Sequence, residues 1–379
     1  MDAAAEAYRD ELRAWLGDHL TDRHRGLQFD GAPDTDWLER MREWNHRLAD
    51  AGYAAPSWPV ERGGRAAGVL EQAEHAREMA AARAPGPINA LGIPNVAPAI
   101  MAFGTDEQQA RYLQPLLRGD EIWCQGFSEP DAGSDLASLQ ATAVRDGDDY
   151  VVRGQKVWTT FGPVADWCEL LVRTDPDAAR PQSGITCLLV DMALPGIEVR
   201  PLRTITGTTE FSEVFLDDVR VSVSARLGDE HDGWRVAMAT LSNERGGVAA
   251  LHLQLRARIV ELVAAARHAG RTADPLVRDR LARLHSDGEC LRYLADRSLA
   301  RAAAGLPPGP ESSVIKIAWS LLGQELPDVA VDVLGVEALD GAWGQNLLHA
   351  RSLTIAGGTT EVNRNIVGER VLGLPRGPR

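Results

Sequence analysis

The apolar residues change period twice along the chain, from that of a helix to that of a strand and back. This order of segments limits the available folds more than any other feature. Tyr8, Leu12, Trp15, Leu16 and Leu20 recur at steps near three and four, as do Trp37, Met41, Trp44 and Leu48 before Gly52, so each segment carries one apolar stripe. An Ala- and Glu-rich stretch from Val69 to Ala82 predicts a third helix, and Gly104 followed by Thr105-Asp-Glu-Gln108 predicts a stop and a capping box for the next. From about Glu121 the signals are short, β-branched and apolar: Tyr150 to Arg153, Cys168 to Val172, Gly184 to Val190 and Ile197 to Arg200, parted by Asp, Gly and Pro. With no helical stretch between them, these strands predict an antiparallel sandwich or barrel. After Gly233-Trp234 the helical period returns, from Val236 to Ala269, Asp274 to Ala304, Glu311 to Leu334 and Thr360 to Leu372, which predicts a bundle. The expectation is an α+β chain with an N-terminal α-helical domain at 1–120, a middle antiparallel β-domain at 121–226 and a C-terminal helical bundle at 227–379.

The 379 residues suffice, at roughly 150 per domain, to bury a core without disulfides or metal clips. A formal charge of −14 repels phosphate, which argues against nucleic acid or an anionic membrane surface as partner. No run of 18 apolar residues occurs and the N-terminus lacks the pattern of a secretion signal, so a cytoplasmic location is expected. Cys124, Cys168, Cys187 and Cys290 form no Cys-x-x-Cys pair, so no metal site is expected and each reads as a small buried hydrophobe. Lys156 and Lys316 are the two lysines among 40 cationic side chains, which reads as coding bias rather than chemistry.

Four segments could carry chemistry. Gln125-Gly-Phe-Ser-Glu-Pro-Asp-Ala-Gly-Ser134-Asp135 lies where helix gives way to strand. Gly126 and Gly133 permit close backbone approach, and Ser128 and Ser134 offer hydroxyls to a flat polar ligand. An ordinary surface turn has the same composition. In Gln155-Lys-Val-Trp158-Thr159-Thr160-Phe-Gly162, alternation puts Trp158 and Thr160 on one face, where an indole could cover a ring beside a hydroxyl donor. A core Trp beside a cross-strand Thr fits equally. Leu241-Ser-Asn-Glu244-Arg245-Gly-Gly-Val248 places an acid and a base inside a long helix, either as a solvated pair or against something closely packed. Ile355-Ala-Gly357-Gly358-Thr359-Thr360-Glu361 looks like a loop opening the last helix, with N–H groups free for an oxygen, or a plain N-cap.

Together and in this order, the segments resemble the acyl-CoA dehydrogenase family over nearly the whole length. Ser128-Glu-Pro-Asp-Ala-Gly-Ser134-Asp135 is similar to the family's Thr/Ser-Glu-Pro-x-Ala-Gly-Ser-Asp signature, and Gly357 to Glu361 with Arg364-Asn-Ile-Val-Gly-Glu-Arg370 to its C-terminal signature. Phe211 to Val221 resembles the strand and turn that close the family's β-domain. The resemblance implies FAD held between β-domain and bundle, with an acyl-CoA thioester against the flavin. It implies that Gln125, Phe127, Ser128, Gly133, Ser134, Trp158, Thr159 and Thr160 line the cofactor, and that Arg267, Thr359, Thr360 and Glu361 contact it again. Ser134 would touch the pantetheine, while Arg245, Gly357 and Gly358 would bound the substrate. A carboxylate would remove the α-proton as the β-hydrogen leaves as hydride, with electrons passed to an electron-transfer flavoprotein.

Many relatives place that base in an aromatic-Glu-Gly-Thr run, where this chain reads Ala356-Gly357-Gly358-Thr359. A subgroup uses a Leu-x-x-Glu-Arg run on the bundle helix, which Leu241 to Arg245 matches, so the resemblance makes Glu244 the base and Glu361 the next residue to test. The family's cross-subunit cofactor contacts are also altered: Arg267-His-Ala-Gly-Arg271 replaces Arg-x-x-Phe-Gly, and Asp332-Val-Leu-Gly-Val336 replaces Gln-x-x-Gly-Gly. Either weak FAD retention in a homo-oligomer or a hetero-oligomer with a related chain is expected, because an acid near a pyrophosphate is unfavourable, and an ordinary homotetramer in which other residues replace these contacts is the alternative. Alternatives within the fold are a dehydrogenase of acyl groups on a carrier protein, a flavin monooxygenase or oxidase, and a non-catalytic partner subunit.

Overall fold

The computed structural model describes residues 2–27, 34–244, 251–306, 309 and 311–376, the side chains of 243 and 244 excepted. The N-terminal segment forms helices α1 (Ala3–His19), α2 (Thr35–Asp50), α3 (Val69–Ala82), α4 (Ala97–Phe103) and α5 (Asp106–Arg118). In α2 the Asp34 carboxylate accepts from the Trp37 N–H at 2.7 Å, and the stripe Trp37, Met41, Trp44 and Leu48 is buried. The capping box of α5 forms as its sequence predicts: Thr105 accepts from the Gln108 N–H, and Gln108 accepts from the Thr105 N–H.

The strands are β1 (Trp123–Gly126), β2 (Thr142–Asp146), β3 (Asp149–Thr160), β4 (Trp167–Arg173), β5 (Ile185–Asp191), β6 (Ile197–Leu202), β7 (Phe211–Ser222) and β8 (Arg226–Leu227). They form one sheet in the order β6-β7-β3-β2-β4-β5-β8, with β1 paired to β4. Most pairings are antiparallel, but β1 and β2 each run parallel to β4. Parallel neighbours need a long crossover, and the chain between Gly126 and Trp167 supplies it. One face of the sheet buries Tyr150, Val152, Cys168, Leu170, Val190, Val214 and Val219 in a common core.

The remaining helices are α6 (Gly233–Glu244), α7 (Leu251–His268), α8 (Pro275–Ala303), α9 (Glu311–Leu334), α10 (Gly341–His349) and α11 (Thr360–Ile366). The stretch read as one helix from Val236 to Ala269 contains α6 and α7, with 245–250 outside the described residues. The last helix is α-helical only to Ile366 and continues as a wider turn over Val367–Val371. Leu255, Ile259, Leu262, Leu281, Leu284, Leu326 and Val333 knit α7, α8 and α9 together. The chain divides into two compact units. One comprises 13–67 and 82–244 and holds the whole sheet and α6, while the other comprises 1–12, 68–81 and 245–379. Cys124, Cys168 and Cys187 are buried, but Cys290 is exposed, against the expectation for it. Among the described residues no helix is long and apolar enough to cross a membrane.

Candidate active site

In the sheet-bearing unit, β1 sets Gln125 half-buried beside the fully packed Gly126. A Cβ at Gly126 would lie 2.7 Å from the Leu170 Cδ1 and 2.9 Å from the Cys168 Sγ, so only glycine lets the strand lie this close to β4. Phe127 is buried, Ser128 half-buried, and Gly133 and Ser134 exposed beyond a tight turn closed by mutual backbone hydrogen bonds of Glu129 and Ala132. The Val157 N–H donates to the Ser128 carbonyl at 2.9 Å, which ties the loop to β3.

What holds this loop is an ion pair that the motif reading passed over. The Glu129 carboxylate accepts from the Lys156 ammonium at 2.7 Å, the Gln140 N–H at 2.6 Å and the Ala141 N–H at 2.9 Å. Lys156 also donates to the Phe127 carbonyl at 3.2 Å and has no exposed surface. Burial lowers the lysine pKa, and Glu129 opposes that shift. Lys316, the second lysine, is also buried and donates to the Ser320 hydroxyl and the Leu353 carbonyl. In an Arg-rich chain the retained lysines therefore mark places where a compact ammonium is needed, which corrects their reading as mere bias.

The strict alternation expected around Trp158 does not run through. The β3–β7 register shifts between Lys156 and Thr159, and Trp158 takes φ 61, the left-handed region. Such a bulge inserts a residue and re-aims the side chains beside it. Trp158 is 57% exposed, Thr160 half-buried and Thr159 fully buried. The buried Thr159 hydroxyl is unpartnered, and the hydroxyls of Ser128 and Thr160 have no partner among the described residues.

Behind Gln125 lies a carboxyl that sequence reading missed. Glu169, its register partner on β4, is fully buried and accepts from the Gln125 amide at 3.1 Å and the Thr240 hydroxyl at 2.7 Å. Burial pushes its pKa up to about 7, against the pull of those two donors.

The second cluster lies in the other unit. Gly357 and Gly358 take φ 64 and φ 89, and the buried Asn363 amide donates back to the Gly358 carbonyl at 2.9 Å and the Thr359 carbonyl at 3.1 Å. The Thr359 side chain caps α11 by accepting from the Val362 N–H. Thr354, Thr359, Thr360, Glu361 and Arg364 line a cavity of about 360 Å³ beside this loop. Arg267, in the last turn of α7, is exposed and unpaired among the described residues, whereas Asp332 is bound by Arg280 and Val336 is exposed. Glu244 ends α6, with its side chain undescribed, and Arg245 lies outside the described residues.

Three family models match in succession: acyl-CoA dehydrogenase, N-terminal domain, over residues 2–120; middle domain over 124–219; and C-terminal domain over 231–372. The chain belongs to the acyl-CoA dehydrogenase family. It is similar to acyl-CoA dehydrogenase IpdE1 of Mycobacterium tuberculosis, with 41% identity over 98% of each chain. A solved structure described as the Tcur3481-Tcur3483 steroid ACAD is 31% identical at a TM-score of 0.88, covering 100% of this chain and 99% of that one. The ChsE4-ChsE5 complex from Mycobacterium tuberculosis is 34% identical at 0.85, with the same coverage. Acyl-CoA dehydrogenases are flavin-dependent oxidoreductases. The groups around β1 and β3 fit such a cofactor: an orphaned buried hydroxyl at Thr159, unspent hydroxyls at Ser128 and Thr160, and an exposed indole held in a strained conformation.

Proposed function

We propose that the chain catalyses FAD-dependent α,β-dehydrogenation of an acyl-CoA thioester to the trans-2-enoyl-CoA, passing electrons to an electron-transfer flavoprotein. The observation that carries this reading is the set of unspent hydroxyls of Ser128, Thr159 and Thr160 beside the exposed Trp158, next to the paired Glu129 and Lys156. When bound, FAD supplies the two-electron acceptor. Gln125, Phe127, Ser128, Gly133 and Ser134 would line it, Trp158 would cover the ring, and Thr159 and Thr160 would donate to it. Arg267, Thr359, Thr360 and Glu361 would be further contacts to it. Glu244 takes the α-proton, and Arg245, Gly357 and Gly358 bound the thioester, whose oxygen gathers charge as that proton leaves.

The site lies in the cytoplasm, and the assembly is a hetero-oligomer with a related chain. Arg280 pairs with Asp332, an acid where the family's cross-subunit pattern has Gln, which is unfavourable beside a second copy's pyrophosphate. The two-chain descriptions of the solved neighbours support this, and the steroid ACAD among them makes a polycyclic acyl group the first substrate class to try.

The test is a flavin-bleaching screen of the purified chain, alone and with an adjacent homologue, over straight, branched and steroid acyl-CoA esters and a carrier-bound ester. Glu244→Gln should keep FAD and lose about 10²-fold or more in flavin reduction. A colourless protein that takes up no FAD in either state would sink the reading, and a Gln variant of wild-type rate would move the base to Glu361. One tightly held FAD per subunit in a homotetramer would reject the assembly.

A further inference from the structure

One buried polar side chain of the sheet is bonded to a helix packed on it. Glu169 reaches from β4 in two directions. Its Oε2 accepts from Gln125 on β1, and its Oε1 accepts from Thr240 on α6. Gln125 and Glu169 are register partners in a parallel pair, so their side chains share a face of the sheet, the face against which α6 packs through β4 and β5. Thr240 is fully buried and lies one helical turn before Glu244. Three side chains thus run without a gap from the cofactor-side strand to the helix that carries the candidate base.

We propose that Glu169 is a positioning residue that clamps β1 to α6, so that the Gln125 edge of the flavin site and the Glu244 helix hold one relative geometry, and that its protonation loosens the clamp. The proposal rests on the function given above for Gln125 and Glu244.

The chemistry follows from counting donors. An ionised carboxyl offers two acceptor oxygens to two donors, the Gln125 amide and the Thr240 hydroxyl. A protonated one turns one oxygen into a donor, so Gln125 must flip or Thr240 must rotate, and the shared geometry changes. With a pKa raised to about 7, both forms are populated near neutral pH.

Few other groups can intervene. Cys187 on β5 is the thiol that feels Glu169, and its own pKa is raised by burial and then by that charge. Cys168 and Cys124 lie one step along their strands and so face the opposite side, where Lys156 and Glu129 close on each other. The segments Gly92–Val96 and Ala97–Phe103, also packed on α6, contain no titratable side chain.

The experiment has a cofactor-free arm and a catalytic arm. In apo protein, infrared difference spectra should show a buried carboxyl that titrates near pH 7 and is absent from Glu169→Gln; no such signal would overturn the proposal whether or not the chain is a dehydrogenase. In holoenzyme, flavin reduction by saturating thioester should fall by up to about tenfold from pH 8 to pH 6, and Glu169→Gln should keep its FAD and KM but lose that limb. Thr240→Val, which cuts only the α6 end, should lower the reduction rate about tenfold with FAD retained, and Thr240→Ser should restore it. A Gln variant that keeps the wild-type pH limb, or a Val variant of wild-type rate, would refute the clamp. If the infrared signal is present but the wild type neither holds FAD nor is reduced, the function has failed and Glu169 is only a buried acid.

Discussion

Replacing Lys156 by Met removes a wholly buried cation from beside the Glu129 carboxylate. The side chain is wholly buried, and its ammonium donates to the Glu129 carboxylate at 2.7 Å and the Phe127 carbonyl at 3.2 Å. The charge-assisted bond contributes about 1.5–3 kcal/mol and the neutral one about 1 kcal/mol, while Glu129 is left charged in a nearly dry site. Glu129 keeps the N–H groups of Gln140 and Ala141, and relief of the lysine's own desolvation offsets part of the loss, so a total near 3 kcal/mol is expected, at the low end of values for breaking a buried pair. Urea unfolding of apo protein measures this, and absorbance of the released cofactor measures whether the loop still binds FAD. Adding Glu129→Gln to Lys156→Met removes the stranded charge and should recover roughly half of the deficit, a non-additivity that a merely steric defect lacks. Lys156→Arg should not rescue, because a guanidinium is too large for the space. A Met variant within about 1 kcal/mol of wild type, or a double variant no better than the sum of its parts, would refute the reasoning.

Glu169 should also shape stability. Its folded pKa, about 7, lies above the ordinary glutamate value of 4.5, so the folded state binds the extra proton and stability falls as pH rises between those values. Glu169→Gln should therefore match wild type near pH 4.5 and exceed it by up to about 3 kcal/mol at pH 8 in denaturant titrations; an equal difference at both pH values would contradict the shift. Asn363→Ala strips the buried amide from the Gly358 and Thr359 carbonyls and should cost about 1–3 kcal/mol and weaken FAD retention, read by unfolding and by flavin content after dialysis. Trp158→Ala should cost about 1 kcal/mol of apo stability through the lost edge contact with Phe211, and should alter the bound flavin's absorption spectrum; an unchanged spectrum would remove Trp158 from the site.

Most of the secondary structure was legible because it is local. Helix stripes at Trp37, Met41 and Trp44, the Thr105–Gln108 box, and the bounds of the helices at Val69–Ala82 and Glu311–Leu334 follow from periodicity and capping within a few residues. The order of helix, strand and helix, with the Ser128–Asp135 and Gly357–Glu361 segments in place, was enough to indicate the family. What stayed hidden depends on contacts between distant residues. Glu169 sits in a short apolar run, Cys-Glu-Leu-Leu-Val, whose pattern says that the strand is buried but not that Gln125, 44 residues away, and Thr240, 71 away, come to satisfy the acid. The Glu129–Lys156 pair likewise joins two motifs that each read as complete by themselves. The bulge at Trp158 breaks alternation because β3 must keep register with β7 on both sides of it, and the parallel pairings of β4 depend on a crossover that no local period encodes. Periodicity shows which face of an element avoids water, and only the packed chain decides what that face meets and which buried charge finds its partner.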